Sequence, residues 1–171
     1  VKHLWLAVVS FGVAGFGLAS LRALPAMPQQ SAKGPSLPAG YRHWTHVKTM
    51  LIADPEHPLF KDFGGIHHVY VNDKGLATLK SGKGSYPDGT VFVFDLLEAP
   101  LDNKAYVEGH RKAIAVIVKN AARYKDTGGW GWQVFAAGDP AKPLVKDAAA
   151  ECFACHQSQK ASDFVFSKWR P

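Results

Sequence analysis

Only two cysteines occur in the 171 residues, and they stand three positions apart in Cys152-Phe153-Ala154-Cys155-His156. This constrains the chain more than any other feature. No disulfide framework can tie distant segments together, so the fold rests on an apolar core, and the length suits one domain. The pentapeptide is the C-x-x-C-H pattern through which a c-type haem is attached. Two thiols separated by two residues meet both vinyl groups of one porphyrin, and the adjacent imidazole falls beneath the iron. Cys152 and Cys155 are therefore the candidate anchors of one covalent haem c, and His156 is the candidate ligand of its iron. Three other chemistries compete for this spacing. A zinc site needs one or two further ligands, for which His67 and His68 are available. A redox dithiol normally sits early in a βαβ pattern, which is missing here. A disulfide across two residues closes too short a loop to stabilise much.

The N-terminus supports the haem reading. Val1-Lys2-His3 precedes an uncharged run from Leu4 to Ser20, and Gly17, Ala19 and Ala26 offer small-residue cleavage sites. This reads as an export signal over residues 1–26, which places the domain in the periplasm, where bacteria form thioethers to haem. An uncleaved inner-membrane anchor is the alternative, since the run nearly spans a bilayer, but Arg22, Pro25 and Pro28 follow it closely. Residues 27–40, rich in Pro, Gly, Ser and Gln, read as a linker, and residues 41–171 as the haem domain. Loss of Lys2 and Arg22 with the signal lowers the formal charge from +6 to about +4. That excess suits an acidic redox partner. No Lys/Arg run or basic stripe argues for nucleic acid, and that class is excluded.

Along the domain, Tyr41 to Ile52 is amphipathic without choosing between helix and strand, and residues 54–65 read as loop around Pro55, Pro58 and Gly64-Gly65. His67–Val71 reads as a strand ending in the turn Asn72-Asp73-Lys74-Gly75. Pro87-Asp88-Gly89 is a turn, and residues 90–97 (TVFVFDLL) follow as a strand. Both its faces are apolar, which predicts a central strand covered on one side by protein and on the other by haem or a partner subunit. The spacing of Val107, Ile114, Ile117 and Ala121 predicts a helix over residues 105–124, with Arg111, Lys112 and Lys119 reaching solvent. Trp130–Ala136 alternates as a strand, and residues 147–156 form a short helix carrying the cysteines. The sum is α+β: a mostly antiparallel β-sheet with a few helices in a single haem domain.

Fifteen residues follow His156 and none is methionine; Met27 and Met50 are the only two. Small electron-transfer cytochromes carry the haem motif early and take a methionine ligand from downstream. That arrangement fits this order poorly, although Met50 keeps the simple electron carrier in view. An iron held by His156 alone is five-coordinate, which suits binding or oxidation of small molecules.

Tyr41-Arg42-His43-Trp44, Val69-Tyr70-Val71, Pro87-Asp88-Gly89-Thr90 with its Phe-rich strand, Cys152 to His156, and Asp163-Phe164-Val165-Phe166 together resemble the cytochrome P460 family, which includes the cytochromes c′-β. The resemblance spans residues 41–169. It implies a mostly β domain, usually a homodimer, with a five-coordinate haem c. Members similar to the P460 enzymes oxidise hydroxylamine with nitric oxide chemistry, pass electrons to an acceptor cytochrome, and have a lysine bonded to the porphyrin edge. Members similar to cytochrome c′-β lack that bond, have a phenylalanine-lined distal side, and bind nitric oxide or carbon monoxide. The family's cross-linking lysine lies shortly before the turn that is here Pro87-Asp88-Gly89, so Lys80 and Lys83 are the alternative candidates. The leading expectation is a nitrogen-oxide oxidoreductase; a non-catalytic gas-binding protein comes second and an electron carrier third.

Other residues have bland readings beside functional ones. Phe92 and Phe94 either cap the haem or are ordinary core. Glu108 and Arg111 are read as a helix-surface ion pair rather than a proton relay. Asp95 inside an apolar run needs a partner or a function. His67 and His68 are read as hydrogen-bonded structural histidines, and Arg42, Lys168 and Arg170 are cations available to haem propionates.

Overall fold

The computed structural model describes residues 34–170; the predicted export segment 1–26 and residues 27–33 of the predicted linker lie outside the described residues. In chain order the elements are β1 (Thr45–Ile52), α1 (Phe60–Phe63), β2 (Gly65–Val71), α2 (Asp73–Ser81), β3 (Val91–Leu97), the hairpin β4 and β5 (Leu101–Asp102 and Ala105–Tyr106), β6 (Arg111–Lys119), β7 (Trp130–Ala136) and α3 (Ala154–His156). The five long strands form one sheet in the order β1-β2-β3-β6-β7, with every pairing antiparallel. The fold is α+β, with an antiparallel sheet and few helices, as expected. No helix among the described residues is long and apolar enough to cross a membrane.

The largest departure is at residues 105–124, where the expected helix is absent. Residues 105–106 form half of a two-residue ladder, and Arg111–Lys119 is a central strand between β3 and β7. Its apolar stretch Ala-Ile-Ala-Val-Ile-Val is continuous, so both the helical and the strand period fit it; β-branched side chains decide for strand. Three assignments fall with the helix. Lys119 is buried rather than solvent-facing, Glu108 and Arg111 do not share a helical face, and Arg111 instead meets Asp95. Asn72-Asp73-Lys74-Gly75 is the start of α2, not a turn between strands. The Asn72 side chain accepts from the Gly75 N–H at 3.3 Å as an N-cap, and from the Val91 N–H at 3.0 Å.

The two faces of the sheet are finished differently. On one, Val93, Asp95, Ile114, Val116 and Phe135 are buried, and Tyr41, Trp44 and Leu37 pack over that cluster. Asp95, with 0 % exposure, accepts from Tyr41 Oη at 2.6 Å and from Arg111 Nε and Nη2 at 2.7 and 3.1 Å. The acid in the apolar run is thus satisfied, and it fastens the N-terminal turn to this face. On the other face Val71, Phe92, Trp130 and Trp132 form a core with Leu79 of α2 and Val165 of the C-terminal segment.

Candidate functional site

The cysteine segment is built from its own polar residues. Asp147 Oδ1 accepts from the N–H groups of Ala149 and Ala150 at 3.0 and 3.2 Å. Glu151 Oε1 accepts from those of Lys146 and Asp147 at 3.0 and 2.7 Å. These bonds start a wide π-turn, Ala149–Phe153, which runs into α3 and then a 3-10 segment, Gln157–Ser162. Such turns cluster at functional positions. Cys152 is half-buried against the Trp130–Trp132 core, and Cys155 is exposed; both thiols are free. Burial, reinforced by Glu151 and by Cys155, pushes the Cys152 thiol up to about 11. A dithiol redox centre needs a depressed thiol, so the local chemistry opposes that alternative.

His156 Nδ1 lies 2.7 Å from the carbonyl oxygen of Phe164. An imidazole donating there carries its proton on Nδ1 and leaves the Nε2 lone pair for a metal, the arrangement that orients ligating histidines. Burial lowers the His156 pKa, and its bond to Phe164 opposes the shift, so the ring is neutral at pH 7. The ring rests 4.3 Å from that of Trp132 and 4.8 Å from that of Phe166.

The carbonyl that holds His156 comes from an unusual turn. Asp163 and Phe164 both have left-handed backbone, at φ 50° and 66°. Asp163 Oδ1 accepts from Lys119 Nζ at 2.7 Å and Oδ2 from the Tyr86 N–H at 2.8 Å, while its carbonyl accepts from Trp130 Nε1 at 2.9 Å. Gly128, at φ 67°, lets the turn close: a Cβ there would meet the Phe164 ring at 2.5 Å and the Phe153 ring at 3.0 Å.

Beside His156 the sheet is left uncovered. Register places Phe94, Ala115 and Val134 side by side on neighbouring strands, next to the row that ends in Ile117 and Trp132. Phe94, Ala113, Ala115, Ile117 and Val134 are all half-exposed, although β3 and β6 lie in the interior of the sheet. The corresponding positions on the opposite face are almost fully buried. At the far end Phe63 of α1 meets Phe94 edge-on at 6.1 Å, and His67 lies 4.7 Å from Phe94. Trp132 Nε1 is a buried donor without a partner. An apolar strip inside a sheet, an orphaned donor and a neutral imidazole with a free Nε2, all next to two free thiols, fit a flat apolar group with acidic substituents, such as haem.

Several sequence candidates come together here and others do not. Cys152, His156 and Phe94 border the strip. Phe92 is buried against Tyr86 and Trp130, inside the protein core. Lys80 sits on the last turn of α2 with its ammonium 5.1 Å from the Trp169 ring, and Trp169 packs on the same cluster as Cys152; Lys83 is exposed in the following loop. Met50 is exposed on edge strand β1. His67 Nε2 donates to the Phe63 carbonyl, and His68 bridges Thr49 and Glu108 at 2.9 and 2.7 Å, so both are hydrogen-bonded and away from the cysteines. Among the described residues no three His, Cys, Asp or Glu side chains converge to hold a metal ion. Arg42, Lys168 and Arg170 are exposed.

Sequence reasoning missed Phe63, Trp132, Lys119 and the role of Asp163. Phe63 lies in a Pro-broken stretch read as loop, and Lys119 inside the misassigned helix. Asp163 belonged to a stretch noticed only for its resemblance. The sequence model of the cytochrome P460 family matches residues 38–167. No curated protein matches the chain.

Proposed function

The chain belongs to the cytochrome P460 family, and from that premise we propose that it is an exported protein carrying one covalent haem c whose open iron position takes a small nitrogen oxide. The observation that carries the reading is the His156 imidazole, with Nδ1 committed to the Phe164 carbonyl and Nε2 free beside the uncovered apolar strip. Cys152 and Cys155 would form the two thioethers, and His156 Nε2 would ligate the iron. Bound haem supplies an iron that coordinates small nitrogen oxides and exchanges single electrons. The protein's own residues do the rest. The Trp132 and Phe166 rings pack against the His156 ring, and the Phe164 carbonyl would fix its tautomer and raise its donor strength. Phe63 and Phe94 would give the far end of the strip an apolar edge that favours small, weakly polar ligands.

Nitric oxide capture is the activity these residues support best, because the Phe63–Phe94 end offers an apolar wall. A second reading, oxidation of hydroxylamine with electrons passed to an acceptor cytochrome, is favoured by Lys80, whose ammonium reaches the Trp169 ring on the cluster that packs Cys152. Acid-acetone extraction tests the foundation of both. The expected result is that the colour stays with the polypeptide, the intact mass is raised by one haem, and the reduced protein is high-spin and binds carbon monoxide and nitric oxide. Colour that leaves with the solvent, or a low-spin reduced iron indifferent to carbon monoxide, defeats the proposal. In the periplasm the protein would act as a soluble homodimer, or as an anchored one if the signal is retained.

A further inference from the structure

Asp163 and Phe164 are two consecutive non-glycine residues in left-handed backbone, a strain that surrounding contacts can hold in place. At Asp163 and Phe164 those contacts are unusually many. The Asp163 side chain takes Lys119 Nζ from β6 and the Tyr86 N–H from the loop between α2 and β3; its carbonyl takes Trp130 Nε1 from β7. Lys119 also donates to the Gly128 carbonyl at 3.1 Å, and both ion-pair side chains are more than 90 % buried. A buried ion pair contributes little net stability compared with apolar residues of similar volume, so its presence asks for a role beyond folding energy. The role visible here is directional: the next residue along presents the carbonyl to which His156 Nδ1 is bonded.

We infer that Asp163 is a positioning residue for the iron ligand, acting with Lys119 to hold the Phe164 carbonyl against His156 Nδ1. The inference rests on the reading of His156 as that ligand. With the carbonyl fixed, the imidazole keeps a strong bond at Nδ1 and donates more electron density from Nε2. A firmer donor favours the oxidised metal, so the pair lowers the reduction potential. Because the same carboxylate binds the Tyr86 N–H, it also ties the loop that carries Lys83 to the segment that carries His156.

The test uses the full-length, haem-loaded protein as wild type and as the Asp163→Asn, Asp163→Glu, Lys119→Met and Asp95→Asn variants. Asp95→Asn breaks an ion pair whose carboxylate is likewise buried, on the opposite face, and leaves the His156 contacts untouched. Resonance Raman of the reduced protein reads the iron–histidine stretch, and a redox titration reads the potential. The expected result is a stretch at lower frequency and a higher potential in both Asp163→Asn and Lys119→Met. Asp95→Asn should lose thermal stability with both readouts at their wild-type values, and Asp163→Glu, which keeps the charge, should recover much of the shift. If Asp163→Asn does not accumulate, Lys119→Met carries the same comparison. The inference is overturned if the variants melt earlier while stretch and potential stay unchanged. A wild-type protein lacking an iron–histidine band would instead sink the assignment of His156.

Discussion

Enlarging Ala115 to leucine gives effects of opposite sign depending on what covers the strip. Ala115 lies between Phe94 and Val134 on neighbouring strands, with all three half-exposed. If that face met only water, a leucine would settle in the groove between its neighbours. The outcome would be neutral or slightly stabilising, within about 0.5 kcal/mol as for surface substitutions generally. If a haem lies on the strip, the added atoms meet a filled space. Overpacking of that kind costs about 1–3 kcal/mol. At roughly 4 °C per kcal/mol for a domain of this size, the melting temperature of the haem-loaded protein should fall by about 4–12 °C.

Two measurements read the result: the ratio of haem absorbance to protein after purification, and thermal unfolding followed at the Soret band. Ala105→Leu on the exposed β4–β5 hairpin is the control, and should change neither. Ala115→Leu should lower both. Full haem content with an unchanged or raised melting temperature would show that the uncovered strip is not where the cofactor lies, and would remove the main structural support for the proposed site.

Tyr41→Phe deletes the hydroxyl that donates to Asp95 at 2.6 Å, leaving Arg111 to satisfy the carboxylate. A bond to a charged acceptor is worth about 1.5–3 kcal/mol, so urea unfolding should show that loss with an unchanged m-value. Burial holds the His67 imidazole below its ordinary 6.5, because desolvation outweighs its bond to the Phe63 carbonyl. The unfolded chain therefore takes up a proton that the folded one refuses. This contribution to stability is full above pH 6.5 and falls as pH drops below it; His67→Gln should flatten the melting-temperature profile in that range. For the lysines, nitric oxide capture predicts an ordinary haem c Soret band that neither Lys80→Ala nor Lys83→Ala moves. A strongly red-shifted band that Lys80→Ala returns to normal would transfer the assignment to hydroxylamine oxidation.

Strands β3 and β7 were legible because each is a β-branched or aromatic run bounded by a turn, Pro87-Asp88-Gly89 before one and Gly128-Gly129 before the other. The same logic failed at β6. A strand in a sheet interior is apolar on both sides, and continuous apolarity erases the alternation that would have distinguished it from a helix. The cysteine motif was legible because its chemistry is local, contained in five consecutive residues. The groups that finish the site are not local. Phe63 reaches Phe94 across 31 positions, and Lys119 reaches Asp163 across 44. Nothing in the neighbourhood of either residue announces its partner; only the packing of α1 and of the C-terminal segment on the sheet brings them together.

That packing also explains why the strip stays open. Each face of the sheet carries one ion pair with a buried carboxylate, and each pair fastens one end of the domain. Asp95 and Arg111, with Tyr41, hold the N-terminal turn on one face, where Val93, Val116 and Phe135 are then closed off from water. Asp163 and Lys119 hold the C-terminal segment on the other, but only at the end marked by Trp130 and Trp132. There Phe166 packs on His156 and Trp169 on the Trp130–Trp132 cluster, while α1 meets the far end of the strip through Phe63 and Phe94. Between those limits Phe94, Ala113, Ala115, Ile117 and Val134 are only partly covered by protein. Small alanines at two of the five positions leave depth as well as width, where a self-sufficient core would carry larger side chains. A chain that buries a carboxylate to secure each end, and leaves the strip between them half-exposed, has room there for a flat apolar group.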